Sequence, residues 1–315
     1  MTTVAVVAHR NKTLGGGLAE LRQVLTEKGV TDPIWYEVPK SSKAPKLARQ
    51  AVADGADLLF IWGGDGTVQR CVDAVAGEEV DLAILPAGTA NLLANNLGIP
   101  IDLRGAVDVG LDGDRRTLDV GVLNGERFAV MAGVGFDAIM MRDADGELKG
   151  HLGRMAYVLA GVRATHMTSR KVRIEVDDEP WFKGEASCVL LGQMGDLASG
   201  IVAFPDARPD DGLLEIGVVT AKNALQWARV LGRLVAEDAK HSPLTQMGQG
   251  RKVDIKFDRP TTYELDGGAR TAKKRFRATV EPRAITVRVP KEQSEPRLES
   301  EPELELELGQ ELESP

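Results

Sequence analysis

One stretch of the chain, residues 57–68, constrains the fold more than any other part of the sequence. It opens with an unbroken apolar run, Leu58 to Trp62, which predicts a strand buried on both faces. Glycines and one aspartate follow, and from Val68 the apolar positions 68, 71, 72 and 75 have helical spacing. The stretch therefore predicts a strand, a glycine turn and a helix.

The glycine turn has the features of a phosphate site. Gly63, Gly64 and Gly66 can adopt positive φ and let a ligand approach the backbone. The N–H groups that open a helix lack partners within it and favour an anion. Asp65 suits such a site only if a cation, such as magnesium bound to a nucleotide, lies between it and the phosphate. The alternative is a plain tight turn, with Asp65 and Thr67 as helix caps.

A second motif, Leu-Pro-Ala-Gly-Thr-Ala-Asn-Leu-Leu-Ala, occupies residues 85–94. Together with Gly-Gly-Asp-Gly-Thr at 63–67, it resembles the diacylglycerol kinase catalytic domain family, which includes soluble bacterial lipid kinases and sphingosine kinases. NAD kinases and phosphofructokinases share only the first motif, so the pair is more specific. The resemblance extends through roughly residues 1–290. It implies ATP and magnesium as cofactors and a lipid hydroxyl, that of diacylglycerol, as the phosphoryl acceptor.

The composition narrows the class of protein. A chain of 315 residues with 43% hydrophobic content predicts one large or two ordinary domains. No apolar run approaches the ~20 residues of a membrane span, and no signal peptide is visible. Two cysteines, Cys71 and Cys188, argue against a disulfide framework and fit a reducing cytoplasm.

The net charge of −8 is unevenly distributed. Residues 291–315 hold nine Glu, one Lys and one Arg, a net −7, so the rest of the chain is about −1. The acidity therefore says little about the partner of the folded part, and nothing predicts a nucleic-acid binder. We expect 291–315 to be a disordered acidic tail.

The order of elements predicts the fold class. In residues 1–125, strands at 3–8, 34–38, 58–62 and 82–85 alternate with helices, which predicts an α/β domain with a parallel sheet. Ligands in such sheets bind at the carboxyl ends of the strands. Residues 126–283 hold many short strands, including 128–132, 253–257, 261–265 and 276–280, and a few helices, including 151–166 and 222–235. This order predicts an antiparallel β-sandwich, and a last strand is expected at 284–289. The family resemblance implies an NAD kinase-like first domain, to which residues 284–290 return.

The predicted nucleotide-binding residues follow the first and second motifs. They are Gly63, Gly64, Asp65, Gly66, Thr67, Gly88, Thr89 and Asn91. Thr89 and Asn91 have helix capping as an alternative role. A glycine triplet at 15–17 is either a further phosphate turn or a flexible loop, and residues 9–12 depart from the family's usual turn at this place.

The family resemblance also implies a structural magnesium in the second domain. The segment Asp211-Gly212-Leu213-Leu214 matches the family's Asp-Gly-Leu-Leu turn, so Asp211 would supply a carboxylate and Leu213 a carbonyl. An Asp-Gly turn without a metal is the alternative.

The catalytic base is where the sequence departs from the family. The family's strand ends in Asp-Gly-Glu, and that glutamate is assigned as the base; this chain has Asp266-Gly267-Gly268. Glu264 can substitute because it shares a strand face with Asp266. Asp266 or Asp65 can otherwise serve, or the protein has little kinase activity. Base catalysis contributes only ~100-fold, so a displaced base is compatible with turnover.

Residues 270–277 hold five basic side chains. These side chains contact nucleotide phosphate, an anionic membrane surface or only solvent, and the sequence leaves the three alternatives open. Three functions follow: a cytoplasmic lipid kinase that meets its substrate at the membrane surface, an NAD kinase-like enzyme, and a non-catalytic nucleotide- or lipid-binding protein. A homodimer is compatible with any of them, and no motif selects the lipid.

Overall fold

The computed structural model describes residues 2–135, 169–198, 201–236 and 241–291. The predicted helix at 151–166 and the predicted acidic tail lie outside these residues, apart from Lys291. In the described residues no helix is long and apolar enough to cross a membrane.

The first part of the chain alternates strands and helices, as its apolar runs predict. Its elements are β1 (Val4–His9), α1 (Gly17–Glu27), β2 (Ile34–Val38), a 3-10 turn (Ser41–Lys43), α2 (Ala44–Ala53), β3 (Leu58–Gly63), α3 (Asp65–Val75), β4 (Asp81–Pro86), α4 (Leu92–Asn96) and α5 (Leu103–Asp112). Strands β4, β3, β1 and β2 are adjacent in that order, and all their pairings are parallel. Strands β1, β3 and β4 are buried along their whole length, as expected when helices cover both faces.

The second part consists mostly of antiparallel strands. Its elements are β5 (Asp114–Leu123), β6 (Glu126–Phe128), β7 (Met131–Val134), β8 (Arg170–Val176), β9 (Glu179–Ala186), β10 (Cys188–Gly192), β11 (Asp196–Ala198), β12 (Ile201–Val202), β13 (Leu214–Val219), α6 (Ala224–Val235), β14 (Thr245–Gly250), β15 (Lys252–Leu265) and β16 (Gly268–Val289). The order β14-β13-β10-β7-β15-β16 is antiparallel throughout, and β8 and β9 extend from β15.

Strand β16 connects the two parts. Near its end, Thr286 and Val287 pair in parallel with Asp81 and Leu82 of β4. One continuous sheet therefore passes from the antiparallel part into the parallel part, and two hydrophobic cores form on it.

Three predictions about local structure were wrong in detail. The strand predicted at 128–132 is two strands, β6 and β7, separated by Ala129 and Val130. The separate strands predicted within 253–265 and within 276–289 are the long strands β15 and β16. Helix α5 and strands β5 and β9 were not predicted, because their charged and glycine-interrupted sequences hide the periodicity.

Candidate active site

The two glycine turns lie side by side where β3 and β4 end. A Cβ atom on Gly88 would lie 2.4 Å from the Cα of Gly64, so the backbones pass in direct contact. Neither glycine has positive φ, nor do Gly63 and Gly66. The positive φ that these glycines permit is therefore not used here, and close approach of two backbones explains Gly64 and Gly88 instead.

Asp65, the first residue of α3, joins the two turns. Its carboxylate accepts hydrogen bonds from the backbone N–H of Asn91, at 3.1 Å, and of Leu92. These are the N–H groups at the start of α4, so Asp65 stabilises the helix that follows the second motif. Burial raises the pKa of Asp65, while these hydrogen bonds and the charge of Lys12 oppose the rise.

Asn91 holds the second turn in place. It adopts a left-handed conformation with φ of 47°. Its Oδ1 accepts from the N–H of Gly88 at 2.8 Å, and its Nδ2 donates to the carbonyls of Pro86 and Gly88. Thr89 beside it is exposed. In this structure the side chain of Asn91 is occupied within the turn, which leaves Thr89 and the backbone as the groups available to a ligand.

Thr67 is buried, and its hydroxyl forms a hydrogen bond of 2.9 Å with Ser41 of the 3-10 turn. The backbone N–H groups of Thr67 and Val68 both donate to the carbonyl of Gly64. The start of α3 therefore offers fewer free N–H groups than the sequence predicts.

The loop after β1 forms the other wall of the candidate site. Thr13 and Leu14 line an open pocket of about 290 Å³ with Gly88, Thr89 and Asn91. Lys12 lies near enough for its charge to lower the pKa of Asp65. The carbonyl of Lys12 accepts a hydrogen bond from the indole of buried Trp62, at 3.0 Å, which anchors the loop. Sequence reasoning missed Lys12 as a candidate phosphate ligand.

Two glycines of the triplet at 15–17 already lie against the carboxylate of Glu20. The N–H of Gly16 donates to the carboxylate of Glu20, and a Cβ on Gly15 would lie 2.6 Å from the same carboxylate. This arrangement disfavours the triplet as a further phosphate turn.

A tight hairpin between β15 and β16 supplies the second group of carboxylates. Asp266 and Gly267 form its turn, with φ of 42° and 74°, and Leu265 pairs with Gly268. Buried Asp266 accepts three hydrogen bonds, from the N–H groups of Ala129, Val130 and Met131, at 2.8–3.0 Å. The chain between β6 and β7 is therefore bound to this carboxylate instead of continuing as a strand.

Glu264 differs from Asp266 because one of its carboxylate oxygens is buried without a partner. No hydrogen bond reaches Oε2 of Glu264 from the described residues. Burial and the nearby charge of Asp266 raise the pKa of Glu264 to about 7. Burial likewise raises the pKa of Asp266 to about 6, and the charge of Asp65 adds to that rise. The carboxylates of the two domains are thus close enough to influence each other.

Arg270 occupies the space beside Gly268, the position of the family's glutamate. A Cβ on Gly268 would lie 2.9 Å from Nη1 of Arg270. The guanidinium donates to the carbonyl of Gly268 at 2.9 Å, to Glu126 at 2.7 Å and to Gln69 of α3 at 3.2 Å. Arg270 thereby ties the hairpin to the helix that begins with Asp65.

The predicted structural magnesium site is at the surface. Asp211 is exposed, and its Oδ1 accepts from the N–H of Leu213 at 2.9 Å. Buried Asp119, which sequence reasoning missed, holds this turn through the N–H of Gly212. Among the described residues, no group of three or more His, Cys, Asp and Glu could enclose a metal. The site at Asp211 and Leu213 stays a prediction.

Comparison with known proteins gives the family. The diacylglycerol kinase catalytic domain matches residues 10–123, and the YegS C-terminal NAD kinase beta sandwich-like domain matches residues 129–289. The chain belongs to the diacylglycerol kinase catalytic domain family. These matches confirm the predicted fold class, an NAD kinase-like α/β domain followed by an antiparallel β-sandwich domain.

Several bacterial proteins are similar to this chain. The chain is 31% identical over 250 residues to a probable lipid kinase YegS-like of Pseudomonas aeruginosa, covering 78% of this chain and 81% of the relative. It is 29% identical to a diacylglycerol kinase of Staphylococcus epidermidis, covering 76% and 77%. A Synechocystis protein is 33% identical, and the chain spans 56% of its length. A crystal structure of a diacylglycerol kinase from Bacillus anthracis superposes with a TM-score of 0.71 at 20% identity, covering 91% of this chain and 96% of that one.

Proposed function

We propose that this protein is a lipid kinase that transfers the γ-phosphoryl group of ATP to a lipid hydroxyl, that of diacylglycerol. The observation that carries the proposal is that carboxylates from the two domains lie close together. Asp65 bridges the two glycine turns at the carboxyl ends of β3 and β4. Asp266, from the second domain, is close enough for the charge of Asp65 to raise its pKa.

Magnesium would arrive with the nucleotide. Because Mg²⁺ keeps several waters and binds phosphates with one or two carboxylates, it needs no cage of protein ligands. Asp65 has this role in the proposal: each of its oxygens accepts one backbone hydrogen bond and retains lone pairs. The metal neutralises charge on the phosphates, and Lys12 adds a positive charge beside them.

Glu264 is the best candidate for the base that takes the proton of the lipid hydroxyl. Its Oε2 has no partner among the described residues, and a pKa of about 7 allows it to accept a proton near neutral pH. The carboxylate of Asp266 is engaged by three N–H groups, so it positions the hairpin. In this proposal, Glu264 compensates for Gly268.

The test is phosphoryl transfer from labelled ATP, with magnesium, to diacylglycerol dispersed in detergent micelles. The proposal expects labelled phosphatidic acid, and the same assay with a total lipid extract would reveal any preferred acceptor. Label that appears on NAD and not on lipid would contradict it.

A second candidate function is suggested by Gly268 and by Arg270, which occupies the space beside it. A non-catalytic homologue would bind magnesium and ATP without forming product. Thermal stabilisation by magnesium and ATP, together with no labelled lipid from any acceptor, would favour that function.

A further inference from the structure

A row of basic side chains crosses the outer face of the antiparallel sheet. Four adjacent strands, β16, β15, β8 and β9, contribute one residue each. The register places Arg275 opposite Lys256, Lys256 opposite Arg173, and Arg173 opposite Lys183. All four are exposed, and we call them the basic row. Several of their chain neighbours are buried in the second core: Val172, Ile174, Ile255, Phe257 and Phe276.

The charges of the basic row are not compensated. Like charges directly opposite one another on a sheet destabilise it. In the described part of the chain, none of the four side chains forms an ion pair or a hydrogen bond. The next row on the same face is different: Arg277 lies opposite Asp254, with Nε 3.1 Å from Oδ1, and Asp254 lies opposite Glu175. Positive charge without an ion-pair partner is therefore concentrated in the basic row, and this concentration favours an external anionic partner.

We propose that the basic row docks this protein on the surface of an anionic phospholipid bilayer. Three strand spacings of about 4.8 Å give it a width of about 14 Å, enough to face several lipid head groups. A bilayer fits better than a nucleic acid, because the proposed substrate is a membrane lipid and the kinase must meet it at the bilayer surface.

The row lies on the strands that carry the candidate catalytic carboxylates. Strand β16 runs from Gly268, at the hairpin, to Arg275, a separation of about 23 Å at 3.3 Å per residue. Docking through this face would hold the hairpin near the bilayer. The role of this docking in catalysis rests on the proposed lipid kinase function. Binding to vesicles can be measured whether or not the protein has that function.

The test is co-sedimentation of the full chain with vesicles of phosphatidylcholine, with and without phosphatidylserine. We expect the wild type to sediment only when phosphatidylserine is present, and less so as salt is raised. The double variant Lys256→Gln/Arg275→Gln should bind phosphatidylserine vesicles about thirtyfold more weakly, since each basic residue contributes about fivefold. Its thermal unfolding temperature should be unchanged or higher, because repulsion within the row is relieved.

A matched control is Lys46→Gln/Arg49→Gln, which removes the same charge from the exposed face of α2. This control should bind vesicles like the wild type. The proposal would be overturned if both double variants lost vesicle binding equally, or if the wild type bound both vesicle types equally. It would also be overturned if Lys256→Gln/Arg275→Gln bound vesicles like the wild type, or if the same two residues bound a labelled RNA duplex more tightly than vesicles. Activity on a water-dispersed, short-chain diacylglycerol reports separately on the proposed kinase function.

Discussion

The two halves of the candidate site use buried carboxylates in different ways. In the first domain, both oxygens of Asp65 accept hydrogen bonds from the start of α4. In the second domain, Asp266 is similarly occupied, but Glu264 two residues earlier keeps one buried oxygen without a partner. Because a buried unsatisfied charge is costly, such a group is expected where chemistry requires it. In the proposed mechanism, the first region positions the nucleotide and the second region carries the reactive group.

The largest expected effect is that of Asp65→Ala. Removal of this carboxylate should lower phosphoryl transfer about 1,000-fold, the upper range for one positioned electrostatic group, and should abolish thermal stabilisation by magnesium and ATP. The matched control is Asp102→Ala, which removes another helix-capping carboxylate, bound to the N–H of Gly105 at 2.8 Å, at the start of α5. That variant should lose about 1 kcal/mol of stability and no activity. Equal activity losses in the two variants would show that Asp65 acts only as a cap.

Next in size is Glu264→Gln, which should lower the rate of phosphoryl transfer about 100-fold with little change in the affinity for magnesium and ATP. Glu215→Gln is its control, because burial also raises the pKa of Glu215, which lies on β13 and bonds to Gln249. A wild-type rate for Glu264→Gln would remove this residue as the base and favour Asp65 or Asp266.

The contact between the two glycine turns should be sensitive to one methyl group. Gly88→Ala places a Cβ against the backbone of Gly64 and should reduce the free energy of unfolding by about 2–3 kcal/mol. Gly66 lies in α3 and a Cβ there meets nothing within 4 Å, so Gly66→Ala should not lower stability and can raise it by up to about 1 kcal/mol. If Gly66→Ala nevertheless weakens ATP binding, the phosphates approach the backbone at that residue; denaturant titration and ATP binding measure the two effects.

The smallest expected effect is the contribution of Glu264 to the pH dependence of the free energy of unfolding. The pKa of Glu264 is raised in the folded state, so its contribution to stability is present below its unfolded value of 4.5 and is lost as pH rises through about 7. Since the side chain is partly exposed, we expect the wild type to lose about 1–2 kcal/mol between pH 5 and pH 8 from this residue. Glu264→Gln should remove that part of the loss, measured by urea unfolding at both pH values. If the free energy of unfolding of Glu264→Gln depended on pH as that of the wild type does, the carboxyl of Glu264 would be solvated and its pKa would not be raised.

Much of the fold was predictable because the buried strands have continuous apolar sequences. Strand β2 was predicted with its exact bounds, and helix α3 buries the predicted apolar positions 68, 71, 72 and 75. By contrast, β5 and β9 were missed, since exposed and interrupted strands lack a clear period.

The sequence predicted the candidate residues that the structure brings together, but not the contacts between them. The motifs located Asp65 and Asn91, yet their hydrogen bonds depend on two turns meeting in space. The long-range contact of Arg270 with Gln69, and the position of Lys12, follow from tertiary packing that local sequence does not encode. For the same reason, the sequence placed Glu264 and Asp266 on one strand face but did not show which carboxylate has hydrogen-bond partners. In the structure, Asp266 accepts three hydrogen bonds and Oε2 of Glu264 accepts none from the described residues.

The pH dependence of phosphoryl transfer tests most directly whether Glu264 replaces the missing glutamate. With a water-dispersed diacylglycerol and saturating magnesium and ATP, the wild-type rate should rise with pH through an apparent pKa of about 7, as Glu264 loses its proton. The slower Glu264→Gln variant should show a flat profile over that range. An identical pKa in both profiles would contradict the account, because the proton acceptor would then be another group.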